Sequence, residues 1–198
     1  MRKTHEKNIS AYNKKADDYN NTFDGVFTEK FKKFLLSVVD VKDGDAVLDV
    51  ACGNGTLLSR FSREINGYGA DISPQMIKNA SANFPQFKFA VAGCEKIPFD
   101  DASMDVITVC SSYHHFPDVN AFAAEAKRLL KPLGSLYIAE IFLPPVIRHI
   151  ANIFVPLSKD GDVKIYSKKE IAKTFSSFEF ISARKKGHMQ IIHLQRGR

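Results

Sequence analysis

The stretch Ala46-Val47-Leu48-Asp49-Val50-Ala51-Cys52-Gly53-Asn54-Gly55 constrains the fold of this chain more than any other. Residues 46–50 read as a buried strand, the small residues after Val50 read as a tight turn, and Thr56 to Phe61 carries helical apolar spacing. A second strand, Gly67 to Asp71, ends at Ser73-Pro74, where serine caps a helix and proline occupies its first position, so a helix is predicted from there towards Phe84. Strand, turn, helix, strand and helix in that order imply parallel pairing, because each crossover must return the chain to the same edge of the sheet.

The alternation continues along the chain. Strands are predicted at 87–92, 105–110 and 135–140, with a helix from about Val119 to Lys131. Ser167-Lys168-Lys169-Glu170 is a capping box that opens a short helix to Phe175. Two further strands, 178–185 and 188–194, meet around Lys186-Gly187, a connection short enough to require antiparallel pairing. The expectation is an α/β fold: a Rossmann-like three-layer α/β/α sandwich on a mostly parallel seven-stranded sheet, with one antiparallel strand at its C-terminal end. No repeat or linker divides residues 1–198, which are read as one domain. Within it, residues 1–40 supply helices (8–19 and 28–39) over the ligand site, and residues 141–166 cover the substrate.

Composition narrows the class. With 44% hydrophobic and 25% charged residues in 198, the chain has ordinary globular usage and enough length for a core without disulfides. No run approaches the roughly 20 apolar residues of a membrane span, and the opening residues are too polar for a secretory signal, so a cytoplasmic location is expected. Cys52, Cys94 and Cys110 are scattered and form no C-x-x-C pair, so neither a disulfide framework nor a metal site is expected. The net charge of +6 is spread over several helices and the last strands and is accompanied by no aromatic–basic motif, which argues against nucleic acid as the partner.

The chemistry concentrates where the first strand turns. Small residues there let a ligand approach the backbone, and a following helix would offer unpaired N–H groups. Asp71 ends the next strand 22 positions after Asp49, where a carboxylate can accept both hydroxyls of a ribose. A pyrophosphate-binding turn would want G-x-G-x-x-G; this chain has an acid, Asp49, before its small residues instead. That charge suits a ligand bearing an ammonium or sulfonium group and repels a pyrophosphate.

From these residues outward the chain resembles the class I S-adenosylmethionine-dependent methyltransferases, especially the group containing the ubiquinone and menaquinone biosynthesis enzymes. The resemblance begins at Tyr12-Asn13-Lys14-Lys15-Ala16-Asp17-Asp18-Tyr19 and runs through 47–55, Gly69 to Met76, and Glu95-Lys96-Ile97-Pro98-Phe99. It continues with Asp105-Val106-Ile107, His114-His115-Phe116 and Arg128-Leu129-Leu130-Lys131-Pro132. It implies S-adenosylmethionine as cofactor and S-adenosylhomocysteine as product. Asp49, Ala51, Cys52, Gly53 and Gly55 would surround the methionine moiety and Asp71 would hold the ribose. Ile72 and Met76 would face the adenine, Cys94 and Glu95 would border its edge, and Cys110 with Ser111 would lie by the sulfonium. Two positions depart from the family: Ala51 replaces its first glycine, and Gly93 stands where an aspartate often binds the adenine amino group.

The acceptor end is less defined. His114 and His115 follow the fourth strand, at the carboxyl edge where open α/β sheets bind ligands, and either could deprotonate an acceptor; Tyr113 is a third catalytic candidate. Tyr12, Tyr19, Tyr113, His114 and Phe142 are the candidates to line the acceptor pocket. Each has a structural alternative, since histidines also fix loops and tyrosines also pack cores. The apolar run 142–155 points to a small hydrophobic or aromatic acceptor, or to a dimer contact, so monomer and homodimer both remain open. The alternatives are an RNA or protein methyltransferase using the basic surface, and a cofactor-binding protein without methyl transfer.

Overall fold

A computed structural model describes residues 2–198. Among these described residues seven strands form one sheet: β1 Ala46–Val50, β2 Asn66–Asp71, β3 Lys88–Val91, β4 Met104–Cys110, β5 Leu130–Ile141, β6 Phe178–Lys186 and β7 Met189–Arg196. Their spatial order is β3-β2-β1-β4-β5-β7-β6. β1 to β5 are parallel, and β7 runs antiparallel to both of its neighbours. The one antiparallel strand is therefore next to the edge, inside the expected end position, because the tight turn at Gly187 folds β7 back between β5 and β6. Chain order reverses between β1 and β4, which opens a crevice at their carboxyl ends.

Among the described residues six α-helices surround the sheet: α1 Arg2–Lys15, α2 Phe23–Leu36, α3 Pro74–Asn83, α4 Val119–Leu129, α5 Pro145–Phe154 and α6 Lys168–Thr174. The two faces of the sheet follow from strand alternation. Leu48, Val50, Ile107 and Val109 pack with Phe122 and Ala126 of α4 and Ile171 of α6. Val47 and Val106 pack on the opposite face with Phe31 and Leu35 of α2 and with Leu57 and Leu58. Asp49, in register with Val47, therefore points to the α2 face, where Lys32 is also buried.

Local sequence explains the helix starts. The Ser73 hydroxyl accepts from the Met76 N–H, with Pro74 at the first helical position, and Ser167 and Glu170 form the reciprocal capping box. One predicted helix is absent: after Gly55 the chain forms only a 3-10 turn, Leu58–Arg60. Ala51, Gly53 and Gly55 all take left-handed backbone, with φ of 59°, 53° and 79°, so most of the short crossover is consumed by the turn. Leu57 and Leu58 are buried as the spacing predicts, but from a turn. The N-terminal helices also shift: α1 starts at Arg2, a 3-10 turn occupies Ala16–Asn21, and α2 starts at Phe23. β5 begins at Leu130, five residues before its predicted start, since Leu130 leaves α4 in extended backbone and pairs with Met104.

α1 is pinned across the carboxyl edge of the sheet. Asn13 accepts from the Ser73 hydroxyl at 2.6 Å, and Asn79 of α3 donates to the Ala16 carbonyl and the Asp17 carboxylate, both at 3.1 Å. α5 behaves differently, with an inverted orientation. Its polar side turns inward, where Asn152 bonds the backbone of Ile165, while Val146, Ile147, Ile150, Ile153, Phe154 and then Leu157 share an exposed face. Among the described residues no helix is long and apolar enough to cross a membrane.

Candidate functional site

A cavity of about 430 Å³ lies between the carboxyl ends of the strands and the overlying α1 and α2. Its floor is backbone-rich: Ala51 and Gly53 follow β1, Asp71 ends β2 and Ile72 follows it, Ala92 to Cys94 follow β3, and Ser111 and Ser112 follow β4. Its roof comes from His5, Asn8, Tyr12, Tyr19, Phe23, Asp24, Phe27 and Thr28, with Asp160 and Asp162 closing one end. Of the residues expected at the site, Ala51, Gly53, Asp71, Ile72, Met76, Cys94, Ser111, Tyr12, Tyr19, His114 and His115 line this space.

The turn after β1 is held by Asp71. One carboxylate oxygen accepts the Gly53 N–H and the other the Ser73 N–H, each at 2.8 Å. A carboxylate offers about four lone-pair sites, so capacity remains towards the cavity. Burial pushes the Asp71 carboxyl up, against the N–H groups of Ser73, Gly53 and Ile72, which favour the anion. Gly53 is open on its cavity side, where a Cβ would meet nothing nearer than Met76 Sδ at 4.0 Å. Gly55 is closed instead: a Cβ there would sit 2.9 Å from the ring of Phe89, so its role is packing against β3 and not ligand contact.

Several expected residues sit elsewhere. Asp49 is 2% exposed, beneath the cavity wall, and accepts the Thr108 hydroxyl at 2.8 Å. Burial raises it to about 7, although the Thr108 bond and the charge of Lys32 oppose the shift. Cys52 and Cys110 are likewise buried off the cavity, and burial pushes both thiols up. Glu95 is drawn aside to His5 Nε2 at 3.1 Å, and its Oε2 lies 2.7 Å from where a Cβ on Gly93 would stand. Phe142 stands outside the cavity, with Lys185 Nζ 3.5 Å above its ring centroid.

Tyr113 is corrected outright. It is 0% exposed, inside an aromatic cluster with Phe116, Phe122, Tyr166 and Phe175, and cannot meet a substrate. The 3-10 turn at 113–115 sends Tyr113 into the core while His114 and His115 face the cavity. The expected covering role of residues 141–166 falls to Ile141, Asp160 and Asp162; no residue of α5 touches the cavity.

The two histidines end in a charged cluster that pattern reading did not find. His114 Nδ1 lies 2.9 Å from both oxygens of Glu140, a fully buried carboxylate that also accepts the N–H groups of His114 and Ile141. Burial alone would raise Glu140, but the charge and hydrogen bond of His114 hold it down; reciprocally, burial would lower His114 and Glu140 raises it. His115 Nε2 lies 2.8 Å from the Tyr12 hydroxyl, and its Nδ1 lies 2.8 Å from Asp162 Oδ1. Burial lowers His115, with the neighbouring His114 adding to it, while Asp162 is held down to about 2, chiefly by His115, against the effect of burial. Glu140 had a visible position, at the end of a strand; Asp162 lies in a segment with no periodicity.

Comparison with known proteins agrees with this geometry. Residues 48–138 match a family model described as a methyltransferase domain. A ubiquinone/menaquinone biosynthesis C-methyltransferase of Teredinibacter turnerae is 31% identical over 140 residues, covering 66% of this chain and 56% of that protein. A demethylmenaquinone methyltransferase of Chlorobaculum tepidum is 35% identical over 102 residues, covering 50% and 41%. The chain thus spans about half the length of the curated relatives it matches. Among solved structures, a chain from the complex of the Haloferax volcanii Trm112 methyltransferase activator with a methyltransferase superposes with a TM-score of 0.82 at 20% identity, covering 94% of this chain and 98% of that one. Geranyl diphosphate C-methyltransferase of Streptomyces coelicolor, solved with Mg2+, geranyl diphosphate and S-adenosyl-L-homocysteine, gives 0.70 at 14% identity over 85% and 79%. These likenesses establish a Rossmann-like methyltransferase fold.

Proposed function

We propose that the methyltransferase domain at residues 48–138, roofed by α1 and α2, binds S-adenosylmethionine and methylates a small hydrophobic or aromatic molecule in the cytoplasm. One observation carries this reading. A single cavity joins a glycine-lined, Asp71-anchored floor to an aromatic and histidine-lined end, so one ligand can be held at each end and the two can meet.

S-adenosylmethionine supplies a methyl group on a sulfonium, open to in-line displacement by an acceptor atom. The residues present fit that cofactor. Asp71 has lone pairs left for a ribose diol, and Gly53 and Ala51 allow close approach at the turn. Ile72 and Met76 offer an apolar face to a purine, and Ser111 follows β4 in left-handed backbone with φ 53°. Asp49, buried behind the turn, does not touch the ligand; a sulfonium cation above the floor would favour its ionised form.

Acceptor selection falls to Tyr12, Tyr19, Phe23, Phe27, Phe116 and Ile141, whose apolar surfaces exclude water and favour a flat or aliphatic molecule. His115 and Tyr12, joined by their hydrogen bond, are the groups placed to contact an acceptor oxygen or an activated carbon bearing a proton. The quinone-related names of the relatives support an aromatic acceptor, and the outward apolar face of α5 supports pairing with a second copy of the chain.

Incubation with methyl-labelled S-adenosylmethionine and a panel of phenols, hydroquinones and prenylated aromatics tests the reading. Label should move into the organic extract and fall away in the Asp71→Ala variant. Label appearing instead on RNA or protein would replace the small-molecule acceptor with a macromolecule, and cofactor binding without transfer to any class would leave a binding protein.

A further inference from the structure

We propose that His114 Nε2, His115 Nδ1 and Asp162 Oδ1 form a binding site for one divalent first-row transition-metal ion at the acceptor end of the cavity. Each of the three residues offers one ligand atom, and these atoms all lie within 4.8 Å of one another. Asp162 Oδ1 is 2.8 Å from His115 Nδ1 and 3.6 Å from His114 Nε2. Ligands bound at about 2.0–2.2 Å to a tetrahedral or octahedral ion stand roughly 2.8–3.6 Å from each other, and the two separations that meet at Asp162 fall in that range.

A second observation separates this cluster from an ordinary ion pair. His115 Nδ1 is buried and makes no hydrogen bond, although the carboxylate oxygen is only 2.8 Å away. The approach is off the line a hydrogen bond requires, as when two donor atoms are directed at a shared third point.

The outer partners complete the pattern. Each histidine has its other ring nitrogen occupied: His114 Nδ1 by Glu140, and His115 Nε2 by the Tyr12 hydroxyl. A carboxylate or hydroxyl on the far nitrogen fixes the ring orientation and frees the near lone pair, which is the usual support for a metal-ligating histidine. The third ligand is tied to the first two through the backbone, since the N–H groups of Val163 and Lys164 donate to the His114 carbonyl at 2.7 and 3.3 Å. Little reorganisation is then needed to receive an ion.

Two imidazoles and one carboxylate suit Zn2+, Fe2+, Co2+ or Ni2+ better than Mg2+ or Ca2+, which prefer oxygen. Three protein ligands leave coordination positions open, and all three residues line the cavity. A hydroxyl or carbonyl oxygen of an acceptor can take such a position. That last placement rests on the methyl-transfer reading; the ion's binding does not.

Chelator-treated protein titrated with Co2+, followed by visible absorption and by competition with Zn2+, tests the site without cofactor or acceptor. One ion per chain should bind with a ligand-field spectrum. Asp162→Asn and His115→Ala should each weaken it by at least about 100-fold, Glu140→Gln by about 10- to 100-fold, and the exposed His149→Ala not at all. Asp162 lies in a loop, so circular dichroism of its variant should match the parent and keep the result interpretable. Absence of saturable binding to the parent, equal binding by Asp162→Asn and His115→Ala, or loss on His149→Ala would each overturn the site. None of those results would touch S-adenosylmethionine binding, which is measured separately.

Discussion

The two ends of the cavity treat their buried acids in opposite ways. At the floor, Asp49 and Asp71 are buried and both are pushed up, because backbone N–H groups, one threonine hydroxyl and the more distant Lys32 do not offset desolvation. At the roof end, Glu140 and Asp162 are held down by His114 and His115. The floor acids are therefore biased towards their protonated form until a cation binds beside them, while the histidine end pairs its acids with its own imidazoles. A cationic sulfonium ligand belongs at the first end and a neutral acceptor at the second, and the contrast can be broken from either side.

The largest effect is expected from Glu140→Ala, which leaves His114 buried without its carboxylate. Loss of one partner from a buried pair costs about 3–5 kcal/mol, read as a lower denaturation midpoint. A variant as stable as the parent would mean that the pair is not charged.

Asp49 should give the next effect, with the opposite pH behaviour. Its folded pKa of about 7 lies above its unfolded value, so the folded state holds a proton that the unfolded state releases. Its contribution to stability is therefore fullest below pH 4, falls as pH rises towards 7, and is flat above. Across that window the loss is on the order of a few kcal/mol. Chemical denaturation of parent and Asp49→Asn should show the parent losing ground between about pH 4 and pH 7; parallel curves would contradict a floor acid held protonated by burial. Tyr12→Phe should cost only about 1 kcal/mol, the net value of one hydrogen bond to His115, and should leave cofactor affinity unchanged, because Tyr12 serves the acceptor end. Smallest for folding is Phe154→Asp, an exposed change within about 0.5 kcal/mol of neutral. Light scattering should show that it separates any dimer into single chains, and a dimer that survives it would remove α5 from the interface.

The same two ends differ in how far they can be read from sequence. The floor is local: strand periodicity, the small residues at 51–55, Asp71, and Ser73-Pro74 lie within about two dozen residues, so each element's pattern places its neighbour. Even there the helix expected after Gly55 is absent, since Leu57, Leu58 and Phe61 have the apolar spacing of a helix whether or not the crossover has room for one. Asp49 and Asp71 read alike as strand-end acids, yet strand alternation turns Asp49 towards α2 while Asp71 closes the turn. The roof end is non-local. His115 meets Tyr12 across 103 positions, and Asp162 arrives from a segment whose apolar residues face solvent instead of the cavity. Tyr113 failed for a related reason: in a three-residue 3-10 turn no periodicity tells which neighbour enters the core.

The central claim is that one cavity holds S-adenosylmethionine through Asp71, and calorimetric titration with S-adenosylmethionine and S-adenosylhomocysteine tests it most directly. The parent should bind one molecule of each per chain, and Asp71→Ala should bind on the order of 100-fold more weakly, as expected for losing charge-assisted hydrogen bonds to two hydroxyls. Equal affinity in the parent and the variant would contradict the claim.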